Sequence, residues 1–377
     1  MKTMQPAVRI PLQVTRIVTV LVVAYILSNY MILLGIGESF ASEPQVFITL
    51  ATALLLPVLP LVFQPFALVL SVALAYHTFN HRVRCHVPVP MAKLPQAICL
   101  VTGATKPGIG FEIALGLARS GATLVITGVL GNAVKEAVVD LRRESQNERV
   151  YGEVMDLSIK NHVHRLAKRM HEFPRLDVLV NNAGVLMVSG AKSAPEYRDI
   201  DYVMAVNFVG PFLLTRLLGP LILKAPAPRI VNMGSSIHRL VLSFEFSTLT
   251  GVQPSRQKKM HQYSQSKLAV AMFTACLRKQ GLHAACVHPG FVRSQITRHM
   301  PESVVTSYDA LKPIMHLWDK SAQEGAAVAL ALAVGEQSAD ALYYGPNGEE
   351  EPHPDTMEAS KLKKLWEAGS ELVGLQP

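Results

Sequence analysis

Residues 97–110 read AICLVTGATKPGIG. An apolar run, Ala97 to Val101, meets three glycines in eight positions, Gly103, Gly108 and Gly110. A helical pattern then runs from Ile109 to Ser120. Strand, glycine-rich turn and helix in that order let backbone approach a pyrophosphate at the helix N-terminus. The bland alternative is an ordinary tight turn. The remainder of the chain favours the first reading, because apolar strands and amphipathic helices keep alternating along it. Strands are expected at Thr123–Thr127, Arg149–Met155, Leu176–Val180, Arg229–Met233 and Leu282–Val287. Helices are expected at Asn132–Glu144, Lys160–Phe173, Tyr197–Leu223 and His261–Lys279. Such alternation predicts an α/β fold with one doubly wound parallel sheet. Its ligand would lie beyond the carboxyl ends of the strands, where Gly103, Asp156, Asn181, Ser235 and Pro289 all fall.

The chain has 377 residues, half of them hydrophobic, with a formal net charge of +8. Its basic residues are scattered, and no Lys/Arg run is interleaved with aromatics, which speaks against nucleic acid as a partner. The four cysteines, Cys85, Cys99, Cys276 and Cys286, have neither metal-ligand spacing nor the look of a disulfide framework. His162 and His164 are two apart on an expected helix and point to different sides, so no metal is expected.

The hydrophobic excess lies in residues 1–92. From 17 to 37 there is no charge, and at 1.5 Å per residue that length spans about 30 Å, a bilayer core. A second uncharged run covers 47–76 and contains Pro57, Pro60 and Pro65, which predict a kinked span or a re-entrant hairpin. Lys2, Arg9 and Arg16 precede the first run, and Arg82, Arg84 and Lys93 follow the second. Only Glu38 and Glu43 lie between. The positive-inside rule then puts both ends in the cytosol. A cleaved signal peptide ending near Ser39-Phe40-Ala41 is the rival reading. The length of the first run and the presence of a second favour a membrane anchor. The expected organisation is a membrane region at 1–92, a globular domain at 93–340 and a C-terminal extension at 341–377.

One further stretch carries chemistry. Tyr263-Ser264-Gln265-Ser266-Lys267 sets a phenol and an ammonium four residues apart, on one face of a helix. An ammonium beside a phenol would lower its pKa from about 10 and make it a general acid/base near neutral pH. By itself the pair is more often plain helix surface.

Together these motifs resemble the short-chain dehydrogenase/reductase superfamily over roughly residues 95–375, a Rossmann-type fold. The resemblance rests on TGATKPGIG at 102–110, Asp156-Leu157, NNAG at 181–184, Asn207, Ser235-Ser236, YSQSK at 263–267 and HPG at 288–290. Within the superfamily the chain is similar to the membrane-anchored retinol-dehydrogenase-like branch. His238 after the serines, the long insert before Tyr263, SKLAVAMFT after it and the tail LWEAGSELVG carry that likeness. The tail also resembles the polyprenol dehydrogenase type of the branch, whose substrates are long-chain polyprenols and dolichals.

The resemblance implies roles. Tyr263 would be the acid/base, with Lys267 depressing its pKa and holding the ribose hydroxyls. Ser235, preferred to Ser236 because it places His238 as in the retinol branch, would bond the substrate oxygen. Asn207 would organise a water relay to Lys267. Gly103, Thr105, Lys106, Gly108, Ile109 and Gly110 would cradle NAD(P). Asp156 and Leu157 would meet the adenine. Asn181, Asn182, Ala183 and Gly184 would pack on the adenosine side. Pro289, Gly290, Val292 and Ser294 would run beside the nicotinamide. At the end of the second strand Gly128-Val129 offers no acid to repel a 2′-phosphate, and Lys106 could attract one. NADP(H) is therefore favoured, with NAD(H) as the other choice. The expected activity is interconversion of a lipophilic alcohol, such as a polyprenol or retinoid, with its aldehyde or ketone at the endoplasmic reticulum membrane. Lipid droplets are the other location. A sterol dehydrogenase and a silent dinucleotide-binding scaffold are the alternatives. Homodimers are common in the family. Phe244, Phe246 and Leu249 in the insert 240–262 are expected at the substrate entrance, and 295–318 is expected to form a lid. Residues 361–375 are amphipathic and would dock on the domain or touch the bilayer.

Overall fold

The computed structural model describes residues 93–186, 193–249, 259–292, 320–335 and 340–377. Both N-terminal apolar runs, Ser294 and the expected lid at 295–318 lie outside the described residues. Arg82–Pro377 forms a compact unit of its own.

Ten strands are described: β1 (Ile98–Val101), β2 (Thr123–Gly128), β3 (Val150–Val154), β4 (Val178–Asn181), β5 (Ser193–Ala194), β6 (Ile200–Asp201), β7 (Arg229–Met233), β8 (His283–Val287), β9 (Tyr343–Gly345) and β10 (Gly348–Glu349). Eight of them form one sheet in the order β3-β2-β1-β4-β7-β8-β9-β10, parallel except for the last pair. The order reverses between β1 and β4, the place where doubly wound sheets bind ligands. β1 and β4 are buried throughout and apolar up to Asn181, the last residue of β4, as strands covered on both faces must be.

Among the described residues seven α-helices cover the two faces: α1 (Ile109–Arg119), α2 (Gly131–Ser145), α3 (Lys160–Met170), α4 (Tyr202–Ile222), α5 (Lys259–Lys279), α6 (Ala322–Val334) and α7 (Ala359–Val373). One core lies between the sheet and α1, α2 and α6, and the other between the sheet and α3, α4, α5 and α7. On the first side, Gly116 of α1 leaves room for Leu330 of α6; a Cβ there would sit 2.2 Å from its Cδ2.

Three expectations are corrected here. The helix expected from Tyr197 begins at Tyr202. Pro195–Tyr197 is a short 3₁₀ turn, and Arg198 and Asp199 adopt left-handed φ of 59° and 55°, which no helix tolerates. The chain folds back there as the β5–β6 hairpin, and Asp201 then caps α4 by accepting from the Val203 and Met204 amides. The sheet also runs on through β9 and β10, so it enters the segment set apart as an extension. Finally, Phe244 and Leu249 are buried in the core rather than lining an entrance, and Phe246 packs edge-on against Phe244.

Although α4 is long and apolar enough to cross a membrane, 78% of its most apolar window is buried inside the fold, which marks a core helix. As the amphipathic pattern of 361–375 allowed, α7 docks on the domain. Leu362, Leu365, Leu372 and Val373 are buried, and Trp366 meets Phe212 and Phe273 at ring-centroid distances of 5.2 and 6.2 Å.

Candidate active site

The glycine turn opens beyond β1. Gly103 has φ +65°, and a Cβ on it would stand 2.9 Å from Ala183. A Cβ on Gly110 would stand 2.3 Å from Asn182 Nδ2 and 2.5 Å from the Gly103 carbonyl. These glycines therefore let the turn and the NNAG loop touch. Thr102 binds the two together: its Oγ1 accepts from the Asn182 and Ala183 amides, both at 3.0 Å. Asn182 answers by donating Nδ2 to the Thr102 and Gly103 carbonyls at 2.8 and 3.0 Å. Asn182 thus braces the turn. The motif reading overlooked Thr102, although a hydroxyl residue at a buried strand end was the available signal. Gly108 is the extended residue that starts α1, and Ile109 begins the helix. Backbone amides gathered at a helix N-terminus suit a pyrophosphate.

Other residues expected at the cofactor are placed differently from one another. Thr105 faces Gly128, whose Cβ would lie 2.7 Å from the threonine methyl carbon. Lys106 is held by Glu144 at 2.6 Å and Asp140 at 3.0 Å, both on α2. Asp156 Oδ1 accepts from the Ser158 amide and hydroxyl, at 2.9 and 2.7 Å, closing the turn before α3. Leu157 is buried, and its carbonyl accepts from Tyr197 Oη at 3.1 Å. Asn181 turns inward, away from the expected adenosine side. Its Nδ2 donates to Thr215 Oγ1 and Asn232 Oδ1 in a buried polar chain that continues to Thr274.

Beyond β7 and on α5 the structure brings Tyr263, Lys267 and Ser235 together. All three sit at the carboxyl edge of the sheet, and Tyr263 and Lys267 are buried. Of the two serines it is Ser235 whose side chain acts on the Tyr263 phenol, lowering its pKa. Lys267 Nζ stands 5.7 Å from the Tyr263 ring centroid and donates to the Met233 carbonyl at 2.8 Å. A Cβ on Gly184 would lie 3.4 Å from Lys267 Nζ and 3.3 Å from Asn207 Oδ1, so Gly184 keeps a gap open in front of both.

The electrostatics correct one expectation. Burial pushes the Tyr263 phenol up to about 12, and the Ser235 hydrogen bond pulls it partly back. Burial likewise lowers Lys267 to about 8, against an opposing pull from Cys286. Removal from water outweighs the mutual help read from the spacing. Tyr263 is therefore a protonated phenol at neutral pH.

Asn207 lies in a π-helical turn, Ala205–Val209, inside α4. Its Oδ1 accepts from the Val185 amide at 2.8 Å, and its Nδ2 donates to the Val185 carbonyl and Ser266 Oγ, both at 3.0 Å. The side chain clamps the loop after β4 to the helix carrying Tyr263. Both Nδ2 hydrogens are used in this clamp, while Oδ1 accepts a single bond and keeps one lone pair for a relay.

His238 supports Ser235 from behind. Its Nδ1 donates to the Ser235 carbonyl at 2.5 Å, and burial drives its pKa down to about 4, so the ring is neutral. Tyr343 packs on it, and His288 stacks on Tyr343 while facing Glu350 at 3.1 Å. At the end of β8, Pro289 and Gly290 (φ +79°) turn the chain outward, and Val292 bridges to Lys320.

A profile described as short chain dehydrogenase matches residues 97–304. Human retinol dehydrogenase 13 is 34% identical over 297 residues, covering 76% of this chain and 87% of that protein. Human dehydrogenase/reductase SDR family member 13 is 33% identical over 299 residues, covering 76% of each. Among solved structures, an uncharacterised Mycobacterium paratuberculosis protein superposes with a TM-score of 0.57 at 23% identity, over 76% of this chain and 96% of its own. A Shigella flexneri short chain dehydrogenase solved with NADP gives 0.51 at 24% identity, over 68% and 98%. These two likenesses speak to the fold.

Proposed function

The chain belongs to the short-chain dehydrogenase family, and on that premise we propose that it interconverts a lipophilic alcohol and its carbonyl at a membrane surface. The observation that carries the reading is the joint placement of Tyr263, Ser235 and Lys267 at the carboxyl edge of a sheet whose first strand runs into the glycine turn. As a member of the family the chain is an NAD(P)-dependent oxidoreductase acting on CH–OH groups. The relatives named for retinol support a retinoid or polyprenol as the substrate class. The uncharged runs at 17–37 and 47–76 support a membrane anchor, with the endoplasmic reticulum as the site and the catalytic domain on the cytosolic side.

When bound, the nicotinamide supplies or accepts the hydride. The residues of this chain do the rest. Gly103, Gly108 and Gly110 let backbone amides approach the pyrophosphate, and Asn182 holds that turn rigid. In reduction, the Tyr263 phenol donates its proton to the carbonyl oxygen, and Ser235 hydrogen-bonds the same oxygen as charge develops. Lys267 then lies close enough to stabilise the resulting phenolate. Oxidation runs the same proton back from the alcohol to Tyr263. A preference for NADP(H) depends on Lys106 being available, and the pairing of that lysine with Asp140 and Glu144 supports NAD(H) instead.

The test uses full-length protein in detergent, supplied with either reduced dinucleotide and a panel of retinoid, polyprenyl and steroid carbonyls. Turnover of at least one isoprenoid carbonyl is expected. Tyr263→Phe should lower kcat by about 10² to 10⁴ while dinucleotide binding persists. A wild type without turnover, or a Tyr263→Phe variant with undiminished rate, would overturn the proposal.

A further inference from the structure

The adenosine end of the cleft carries an ion-pair arrangement that the chemistry at Tyr263 leaves unexplained. Lys106 stands inside the glycine turn, and its ammonium is held by two carboxylates, Glu144 at 2.6 Å and Asp140 at 3.0 Å. Asp140 and Glu144 are four residues apart on α2, so both face the turn. The Phe111 ring lies 4.5 Å from the same ammonium. Arg143 pairs with Asp140 and, at 3.6 Å, with Glu144. Glu112 on α1 lies within the field of Glu144 and Lys106. Lys106 and Arg143 thus stand against Asp140 and Glu144, while Glu112 is also offset by Arg119.

The location gives this arrangement its meaning. Thr105, next to Lys106, abuts Gly128 at the end of β2. That strand end is where such sheets hold the adenosine ribose. Gly128, Val129 and Leu130 bring no charge, and Val129 and Leu130 are exposed. Discrimination at the 2′ position therefore falls to the turn and α2. A 2′-hydroxyl is uncharged and meets no penalty from Asp140 or Glu144. A 2′-phosphate carries up to two negative charges. It would have to draw Lys106 away from both carboxylates and then remain beside them.

We propose that Asp140 and Glu144 form a selectivity clamp that turns Lys106 from a 2′-phosphate receptor into a neutralised brace, and so biases this chain toward NAD(H) over NADP(H). The inference rests on the oxidoreductase reading and names the carrier within it.

Dissociation constants of NADH and NADPH for the full-length protein in detergent, measured by calorimetry without substrate, test it. Wild type is expected to bind NADH about tenfold more tightly than NADPH or better. Asp140→Asn with Glu144→Gln should move the ratio of the two constants about tenfold toward NADPH. Adding Lys106→Met to that double variant should return the ratio to its wild-type value. Lys106→Met alone should give no gain in NADPH binding and should move the ratio, if anything, further toward NADH, because it leaves Asp140 and Glu144 without their shared counter-charge. Glu144→Gln alone, which removes the shorter contact, should give part of the shift and provides a second reading if the double variant folds poorly. A wild type that binds NADPH as tightly as NADH, or a ratio indifferent to the carboxylates, would overturn the clamp. If wild type binds neither dinucleotide, the oxidoreductase reading falls and the clamp falls with it.

Discussion

Lys267 shows stability and chemistry in opposition. Its ammonium is buried, and its pKa drops from 10.5 to about 8 because the fold withholds water. The unfolded chain therefore binds more protons than the folded one between pH 8 and 10.5, and stability from this group rises across that window. Below pH 8 the penalty is present in full, about 3 kcal/mol. Lys267→Met removes the penalty but also the bond to the Met233 carbonyl, a loss of about 1 kcal/mol. The variant should lose turnover yet be more stable than wild type at pH 7, and urea titrations should show that advantage shrinking as pH rises from 8 to 10.5. A variant less stable than wild type at pH 7 would refute this account. Tyr263 acts in the opposite sense: its raised pKa means that stability is lost as pH climbs from 10 toward 12. The Tyr263, Lys267 and Ser235 set was legible because short motifs place all three. The direction of the tyrosine shift was not, because it depends on how much water the fold excludes. The partners of Lys106 were hidden for a similar reason: Glu144 lies 38 residues further on, and only the packing of α2 brings it close.

At the scale of elements, the site depends on two tight approaches. One is the contact of the glycine turn with the NNAG loop. Gly110→Ala would put a methyl 2.3 Å from Asn182 Nδ2 and 2.5 Å from the Gly103 carbonyl, and backbone cannot yield as a flexible side chain can. The loop must separate from the turn, and the Thr102 and Asn182 bonds break with it. Both dinucleotides should bind at least about tenfold more weakly, with a stability loss of roughly 1–3 kcal/mol. Calorimetry and urea unfolding would report both, and unchanged affinity would mean that the contact does not shape the cradle. The other approach is the π turn of α4, which aims Asn207 at Val185 and Ser266. The glycines were readable because their spacing is a local signal. The π turn was not, since every residue from Ala205 to Val209 is buried and there is no polar face whose phase an inserted residue could shift. The β5–β6 hairpin escaped as well, because Arg198 and Asp199 in left-handed conformations do not announce themselves as glycines would.

At the scale of the whole molecule, the chain closes its sheet late. β9 and β10 come from residues beyond 340, after which α7 seals the core over α4 and α5. Leu362, Leu365, Leu372 and Val373 are all buried there. At about 1.5–3 kcal/mol each, they match the whole net stability of an ordinary domain. A chain ending at Thr356 should therefore fail to fold, which loss of soluble, protease-resistant protein would show. The alternation of strands and helices made the parallel sheet readable, but a three-residue strand such as β9 is too short to show a period. The other end of the chain predicts the opposite result. Arg82–Pro377 is compact without what precedes it, and the cores on both faces of its sheet lie within it. Removing residues 1–81 should leave dinucleotide affinity unchanged and shift the protein from the membrane pellet to the supernatant. Against a carbonyl lipid presented in vesicles, the truncated enzyme should show a raised KM with kcat largely kept, because the chemical groups are intact and only encounter with the bilayer is lost. With the same carbonyl in detergent micelles, the two enzymes should converge. A truncated chain that still pellets with membranes would place the membrane contact on Arg82–Pro377 itself.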